Sequence, residues 1–183
     1  MPWVFDPLHT QVEFSTKHLG MMTVRGHFTD VKATGAIYPE NPMGSSFEVT
    51  IQTASIKTNH EGRDNDLRSG NFLEVDKYPT ITFKSTKVEQ TGPDNFLLTG
   101  DLTIKGITHS MTLNVVRYGE FNDPRMGHRI GYAAEGKINR KEFGLTFNAV
   151  LDGRLVVGEE INLAIEGEFI EQPQEQVAGT TSA

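Results

Sequence analysis

The residues of this chain best suited to chemistry are its six histidines and a short charged run between residues 59 and 70. None of the histidines belongs to an HExxH or HxH pair, which are common zinc-binding spacings. Asp64-Asn65-Asp66 followed by Gly70 is only partly like a calcium-binding loop, because Val75 occupies the position of the bidentate glutamate. The sequence therefore predicts no metal site. The histidines are His9, His18, His27, His60, His109 and His128.

Nucleophilic catalysis needs an exposed nucleophile within hydrogen-bonding reach of a base. His109 and Ser110 are neighbours in a stretch of strand-like pattern, and adjacent side chains on a strand point to opposite faces. The sequence has no GxSxG motif and no glycine-rich loop leading into a helix, so the signatures of serine hydrolases and phosphate-binding loops are absent. We therefore expect a protein that is not an enzyme and that needs no cofactor.

The charged run leaves two interpretations open. Its arginines, Arg63 and Arg68, either pair with neighbouring carboxylates on a solvated helix face or bind the polar head of a ligand at the mouth of a pocket. His18 is equally open, as a hydrogen-bonded core residue or as a polar group that orients an amphiphile. For His27 and Arg140 we expect structural roles, and Arg140 is predicted to hold one end of the fold shut through backbone carbonyls.

These residues must be positioned mainly by β-strands, because apolar and polar residues alternate along most of the chain. Lys105-Gly106 and Asp152-Gly153 lie between alternating runs and predict tight hairpin turns. One short helix is predicted over residues 61–69, capped by Asn59 and with Leu67 facing inward. Alternation is clearest at residues 12–16, 47–51, 81–83, 102–104, 111–115, 145–149 and 161–169.

The sequence thus predicts an all-β protein of eight antiparallel strands and one short helix, which can close into a barrel around side chains or a small ligand. One domain is expected over residues 1–171, followed by a polar, disordered tail at 172–183. Phenylalanine is abundant, with 11 residues against 4 tyrosines and 1 tryptophan. Such a supply of aromatic rings can fill a core or line an apolar cavity.

Charge and composition exclude several classes of function. The formal net charge of −7 disfavours general binding to nucleic acids, because an acidic surface repels phosphate. The absence of cysteine excludes disulfides and thiol catalysis. No apolar run approaches the roughly 20 residues that span a bilayer, so stable membrane insertion is not expected. The N-terminal residues lack the pattern of a signal peptide, and we therefore expect a cytoplasmic protein.

Four segments spread over the folded region resemble the YceI-like family, whose members are barrels of lipocalin-like shape that bind polyisoprenoid lipids. The first combines Asp6-Pro7-Leu8-His9-Thr10 with Val24-Arg25-Gly26-His27-Phe28, although the usual His-Ser of the family is His9-Thr10 here. The second runs from Ser55 to Pro79 and includes Asn71-Phe72 and Tyr78-Pro79. The third is residues 100–108, GDLTIKGIT, and the fourth is residues 138–145, INRKEFGL. Each segment alone is weak, but together they are specific.

The resemblance implies an extended lipocalin-like barrel with a long apolar pocket for the tail of a polyisoprenoid or an isoprenoid quinone, serving carriage or storage. Many relatives are exported with a signal peptide. The resemblance is also compatible with a homodimer, but no coiled coil or interface stripe in the sequence supports or opposes one, so the oligomeric state stays open. Strand alternation, rather than the resemblance, selects the lining. We expect the head of the ligand to contact His18, Arg63 and Arg68. The expected lining residues are Phe14, Phe28, Phe47, Phe72, Phe83, Leu102, Ile104, Leu113 and Phe147.

The sequence is also compatible with two rival hypotheses. An enzyme acting on an apolar substrate could use the same scaffold, and it would require a histidine or carboxylate with a shifted pKa inside the cavity. Alternatively, the interior could be packed solid by its own rings, which would favour an interaction or stress-response protein. A continuous internal cavity distinguishes this last hypothesis from the other two.

Overall fold

The structure is a computed structural model and describes residues 3–172. The predicted tail at 172–183 therefore lies, apart from Gln172, outside the described residues. The strands are β1 (Trp3–His18), β2 (Met22–Phe28), β3 (Val31–Ala36), β4 (Ser46–Gln52), β5 (Ile56–Lys57), β6 (Thr80–Gln90), β7 (Asn95–Ile104), β8 (Ile107–Asp123), β9 (Gly127–Asn139), β10 (Val150–Leu151), β11 (Arg154–Leu155) and β12 (Glu160–Glu171). The α-helix α1 spans Glu61–Arg68, and 3-10 turns span Pro42–Gly44, Thr53–Ser55 and Arg140–Phe143.

Ten of these strands form one antiparallel sheet in the order β3-β4-β6-β7-β8-β9-β12-β1-β2-β5. The two edges of the sheet are connected along the chain. At one edge lie β3 and β4, and at the other lie β2 and β5, which are the continuations of β3 and β4 beyond short interruptions. Between them, the amide of Thr29 donates to the carbonyl of Ser55 and the amide of Gln52 donates to that of Asp30. The sheet therefore curls round to meet itself, which confirms the predicted all-β, antiparallel, lipocalin-like barrel.

The strand number differs from the prediction, because the main sheet has ten strands instead of eight. Two long strands are each interrupted once. The bend at residues 29–30 separates β2 from β3, and the 3-10 turn Thr53–Ser55 separates β4 from β5. A sharp bend leaves the apolar alternation on both sides intact, so period alone does not reveal the break.

Both predicted hairpin turns are confirmed. Lys105 and Gly106 have φ angles of 50° and 73°, and Asp152 and Gly153 have φ angles of 49° and 71°. Positive φ at both central residues is the requirement of a two-residue type I′ turn, whose twist matches that of the flanking strands. The first turn joins β7 to β8, and the second joins β10 to β11.

The helix α1 begins where predicted but is capped differently. Its N-cap is His60, whose Nδ1 accepts a hydrogen bond from the amide of Arg63 at 3.1 Å. Asn59 instead has a φ of 61° and turns the chain just before the cap. Leu67 faces the interior, as predicted. Within residues 3–172, no helix has the length and apolar character that crossing a bilayer requires.

The strands run between two ends of the barrel that differ in packing. The helix end carries α1, and the loop end carries the loop 37–45. Most of the fully buried apolar side chains lie towards the helix end, where Ile56, Phe72, Leu73, Ile104 and Phe143 belong to one cluster. The buried cluster at the loop end has only Trp3, Ile37 and Ile130 among the described residues. The helix end is therefore the more tightly closed of the two.

Candidate ligand-binding site

A cavity of about 330 Å³ runs along the inside of the barrel, and its lining is almost wholly apolar. It extends from Leu73 at the helix end to Tyr38 at the loop end. This volume falls within the usual range for small-molecule sites, and the barrel is not packed solid by its own side chains. Eight of the 11 phenylalanines contribute to the lining: Phe5, Phe14, Phe28, Phe47, Phe72, Phe83, Phe96 and Phe169.

Two glycines let large rings lie against the barrel wall instead of across the cavity. Gly26 on β2 pairs with Phe14 on β1, and a Cβ atom at Gly26 would stand 2.3 Å from the Cζ of Phe14. A Cβ atom at Gly100 would stand equally close to the Cζ of Phe83. Real Cβ atoms do not approach other carbons so closely, so any larger residue would displace these rings. The two glycines thus keep the interior open.

At the helix end, the cavity is closed by buried side chains and by a segment that we call the flap, residues 145–157. Leu145 and Val157, at the two ends of the flap, line the cavity. Between them, β10 and β11 form a separate two-stranded hairpin outside the barrel sheet. The flap is therefore a cover attached at both ends, with a hairpin at its tip.

Arg140 holds the flap in place. Its side chain is only 2% exposed, and its guanidinium donates to the carbonyl oxygens of Gly158 at 2.8 Å, Leu145 at 2.5 Å, Phe147 at 2.9 Å and Val157 at 3.3 Å. Burial lowers the pKa of Arg140, while the negative charge of Glu159 acts in the opposite direction. The predicted structural role of Arg140, which holds one end shut through backbone carbonyls, is confirmed.

At the loop end, the cavity reaches half-exposed residues. Tyr38 is 49% exposed and lines the cavity, together with Pro42 and Ser45 from the same loop. A second, polar pocket of about 280 Å³ adjoins this mouth and shares Ile37 and Tyr38 with the cavity. The remaining residues of the polar pocket are Trp3, Pro39, Glu40, Asn41, Arg117, Glu120, His128 and Glu171.

The polar pocket contains more acidic than basic side chains, with Glu40, Glu120 and Glu171 against Arg117 and His128. The His128 ring stands between Glu171, at 2.6 Å, and Glu120, and the hydrogen bond to Glu171 raises the pKa of His128 despite partial burial. The guanidinium of Arg117 pairs with Asp94 at 2.7 Å. Burial raises the pKa of Tyr132, which lines the cavity near this end. The pocket therefore offers hydrogen-bonding groups without an excess of positive charge.

Eight of the twelve predicted site residues lie where the alternation placed them, along the cavity wall. Whether they contact a ligand stays a prediction. Phe14, Phe28 and Phe83 are only partly buried, which is consistent with a wall that faces open space. These eight residues are Phe14, Phe28, Phe47, Phe72, Phe83, Leu102, Ile104 and Leu113.

Phe147 is not part of the lining, and its predicted place is wrong. The alternation at 145–149 suggested a barrel strand, but this segment belongs to the flap and has no strand structure before Val150. The Phe147 ring is 42% exposed and meets the Phe72 ring edge-on, with centroids 5.4 Å apart. Because Arg140 binds the carbonyls of Leu145 and Phe147, the chain is held away from the sheet.

The predicted position of Arg63 and Arg68 at a ligand mouth is also wrong. Arg63 donates to the side chain and carbonyl of Thr58 at 2.7 and 2.8 Å. Arg68 donates to the carbonyls of Ala54 and Ile56 at 2.8 and 2.7 Å. Both arginines therefore tie α1 to the segment 54–58 at the closed end of the barrel, and neither lines the cavity.

His18 also lies outside the cavity lining, at the helix end. Its backbone bridges to Val157 of the flap. The Nε2 atom of His18 is buried and has no hydrogen-bond partner within residues 3–172. The expectation that His18 contacts a ligand head at the mouth is therefore not supported by its position.

The prediction missed several lining residues, most of which the same alternation could have found. Ile161, Leu163, Ile165 and Phe169 alternate along β12, and all four face the cavity. Phe5 was hidden by a bulge between Asp6 and Thr10, where the pairing of β1 with β12 shifts register. A bulge resets which residues face inward, so Phe5 does not continue the alternation of Val12 and Phe14.

In the part of the chain that the structure describes, one side-chain cluster has donor atoms close enough to hold a cation, and it is formed by Asp6, His9 and Glu168. The guanidinium of Arg129 already stands among them, 2.7 Å from Asp6 and 2.9 Å from Glu168. Burial alone would raise the pKa of Asp6, but hydrogen bonds from His9, Arg129 and the amide of Leu8 lower it to about 2. The cluster is therefore a compensated ion-pair network that fixes the bulge of β1.

Comparison with known proteins gives a consistent result. The chain matches the family described as YceI-like domain over residues 3–169. It is 39% identical to Protein YceI of Escherichia coli over 164 residues, which cover 90% of this chain and 83% of that protein. The crystal structure of Burkholderia cenocepacia BcnA has a TM-score of 0.79 and 21% identity, covering 90% of this chain and 98% of BcnA. A domain from Saccharophagus degradans, described as a polyisoprenoid binding domain implicated in plant cell wall breakdown, has a TM-score of 0.67 and 13% identity, with coverage of 94% and 99%.

Proposed function

Because the chain belongs to the YceI-like family, we propose that it binds a polyisoprenoid lipid, with the isoprenoid tail in the cavity of the barrel. The observation that carries this proposal is the continuous apolar lining from Leu73 to Tyr38, which shields a flexible hydrocarbon chain from water. The description of the Saccharophagus domain as polyisoprenoid-binding adds support. Carriage or storage of the lipid in aqueous surroundings would follow from this shielding.

Energetics favour a long tail without fixing its length. Burial contributes about 0.8 kcal/mol for each CH₂ group, so a tail of forty carbons would nominally contribute about 30 kcal/mol. The free energy of non-covalent binding saturates near about 18 to 21 kcal/mol, because ordering the ligand and bringing two molecules together cost free energy. The volume of the cavity, rather than affinity, therefore limits how much of the tail is enclosed.

We further propose that the head of the lipid is uncharged, as in an isoprenoid quinone, and lies at the loop end. The polar pocket beside Tyr38 contains Glu40, Glu120 and Glu171, and these carboxylates would repel a phosphate or diphosphate. Arg117 is already paired with Asp94 and offers little compensation. An uncharged quinone ring can accept hydrogen bonds in this pocket and is not repelled by its carboxylates.

Organic extraction of the purified protein followed by mass spectrometry tests the proposal directly. We expect a prenyl lipid in the extract, and we expect a delipidated sample to take up an isoprenoid quinone in preference to a polyprenyl diphosphate. A well-folded protein that neither carries nor takes up any prenyl lipid would contradict tail binding. Preference for the diphosphate would contradict only the proposed head group.

A matched pair of variants tests whether the tail occupies the barrel. Ala134 lines the cavity on β9, whereas Ala164 is exposed on the outer face of β12. Ala134→Phe should fill part of the cavity and weaken lipid uptake, and Ala164→Phe should leave uptake unchanged. Equal uptake by both variants, with both folded, would place the lipid somewhere other than the barrel.

The remaining expectations from the sequence stay predictions. They are a cytoplasmic location and the absence of catalysis, and the oligomeric state stays open. Within the described residues, the titratable groups with raised or lowered pKa values in contact with the cavity are Tyr132 and Arg140. Neither is a histidine or a carboxylate, the kind of group that the rival hypothesis of an enzyme requires inside the cavity.

A further inference from the structure

The outer surface at the tip of the flap is unusually apolar. The hairpin β10–β11 and the neighbouring turn between β1 and β2 carry five large apolar side chains that are 41–70% exposed. Backbone contacts join the two segments, since the amide of Leu19 donates to the carbonyl of Val156 at 3.2 Å and Arg154 donates to the carbonyl of Leu19 at 3.4 Å. We call this surface the apolar tip; its residues are Met21, Met22, Val150, Leu151 and Leu155.

Positive charge borders the apolar tip in an otherwise acidic chain. Residues 17–25 and 144–158 contain Lys17, Arg25 and Arg154 but a single carboxylate, Asp152, whereas the whole chain has a net charge of −7. Within residues 3–172, none of these three cations forms a salt bridge. The next carboxylate along the chain, Glu159, is paired with Lys141. Exposed apolar side chains bordered by unpaired cations are the pattern of surfaces that bind anionic membranes.

We propose that the apolar tip is a membrane-docking surface that seats on bilayers containing anionic phospholipid. Its apolar side chains enter the interfacial region, and Lys17, Arg25 and Arg154 contact the lipid phosphates. In this orientation the tip of the hairpin enters the bilayer surface, with Val150 and Leu155 on one of its faces and Leu151 on the other. Leu145 and Val157, at the two ends of the flap, line the cavity. The flap thus separates the cavity from the membrane.

A bilayer fits this surface better than a second copy of the chain. In a twofold dimer the same patch meets itself, so Lys17, Arg25 and Arg154 would be brought towards their own equivalents. Such like charges repel each other, and no carboxylate of the tip other than Asp152 would compensate them. An anionic lipid surface instead offers negative charge around the full border of the tip.

Vesicle sedimentation with the full chain tests the proposal. The wild-type protein should bind vesicles of phosphatidylcholine with phosphatidylglycerol, and less well vesicles of phosphatidylcholine alone or vesicles in high salt. The double variant Val150→Ser/Leu151→Ser should bind both kinds about tenfold or more weakly, because two exposed apolar side chains are lost. Lys17→Gln/Arg154→Gln should lose about tenfold on the anionic vesicles only.

The matched control is Met43→Ser/Met126→Ser, which removes two exposed apolar side chains at the loop end. It should bind like the wild type. Loss of binding in this control but not in the tip variants, or no binding to either kind of vesicle, would overturn the proposal. A shift of the tip variants from dimer to monomer in light scattering would also overturn it, since the surface would then join two copies. Uptake of prenyl lipid from detergent micelles, measured on the same variants, should be unchanged and separates docking from tail binding.

Discussion

The most direct perturbation of the closed end is Arg140→Met, which removes the guanidinium but keeps an apolar stem of similar reach. In the wild-type protein, Arg140 makes three hydrogen bonds of 2.9 Å or shorter, to the carbonyls of Gly158, Leu145 and Phe147. The variant leaves these carbonyls without their donor in a buried setting. The change therefore acts on both ends of the flap at once.

The expected magnitude follows from these bonds. A typical intramolecular hydrogen bond contributes a net of about 1 kcal/mol, and bonds from charged donors contribute more, so the three together amount to about 3 kcal/mol. The variant also no longer buries a positive charge, and the desolvation cost that it avoids offsets part of the lost hydrogen-bond free energy. We expect the free energy of unfolding to fall by about 3 kcal/mol, which for a chain of this size lowers the melting temperature by about 6–12 °C.

Urea unfolding monitored by circular dichroism measures the loss of stability, and hydrogen exchange locates it. In the wild-type flap, the amide of Val156 donates to Ala149 and that of Val157 donates to the Asn148 side chain. These two amides should exchange faster in Arg140→Met, whereas those of the central barrel strands should change only with global stability.

The matched control is Arg154→Met, because Arg154 is an exposed arginine on the same flap with one weak bond, at 3.4 Å, to Leu19. Arg154→Met should lower the free energy of unfolding by less than about 0.5 kcal/mol, as is usual for exposed positions. A loss below about 1 kcal/mol for Arg140→Met, or flap amides that exchange as in the wild type, would show that Arg140 does not hold the flap.

Three further predictions concern the barrel wall and the loop end. Gly26→Ala should push the Phe14 ring into the cavity, which lowers lipid uptake and costs about 1–3 kcal/mol of stability, as overpacking typically does. The hydrogen bond to Glu171 raises the pKa of His128 above 6.5, so its contribution to stability should be complete below pH 6.5 and disappear as the pH rises through the folded-state pKa. Asp6 has a pKa lowered from 3.8 to about 2, so its contribution should be present above pH 3.8 and disappear as the pH falls through about 2.

Each of these predictions has its own control. For Gly26→Ala, adding Phe14→Leu should restore uptake, and failure of this rescue would mean that the ring is not the obstruction. For the pH effects, urea unfolding is compared across the pH range in His128→Gln and Asp6→Asn. The first variant should lose the fall in stability above pH 6.5, and the second should lose the fall below pH 3.8. An unchanged pH profile in either variant would contradict the assigned residue.

Much of the barrel could be predicted from local pattern. Period-2 alternation assigned strands and their inward faces correctly at Phe14, Phe47 and Leu113, because successive side chains of a strand must point to opposite sides. Lys105-Gly106 and Asp152-Gly153 were predicted as hairpin turns because few residues tolerate positive φ. Both signals depend on neighbours in sequence, and at these positions the tertiary structure keeps the local pattern.

The polar part of the candidate site could not be predicted in this way. From the sequence, Arg63 and Arg68 could be interpreted as residues that bind the ligand head. In the fold, they donate instead to the carbonyls of Thr58, Ala54 and Ile56. A long side chain binds whichever partner the tertiary structure places nearest, and sequence does not specify that partner. The same holds for Phe147, whose strand-like spacing was overridden when Arg140 fixed the flap.

The antiparallel strands, the tight turns and the apolar inner surface can be predicted from local sequence, since they follow from the order of side chains along one segment. Which end of the barrel is open, and which polar groups stand there, depends on contacts between segments that are distant in sequence. The polar pocket combines Trp3 and Glu171, from the first and last strands, with Arg117 and His128 from β8 and β9. Its acidic balance arises because strand pairing assembles groups that are distant in sequence, which a local pattern does not encode.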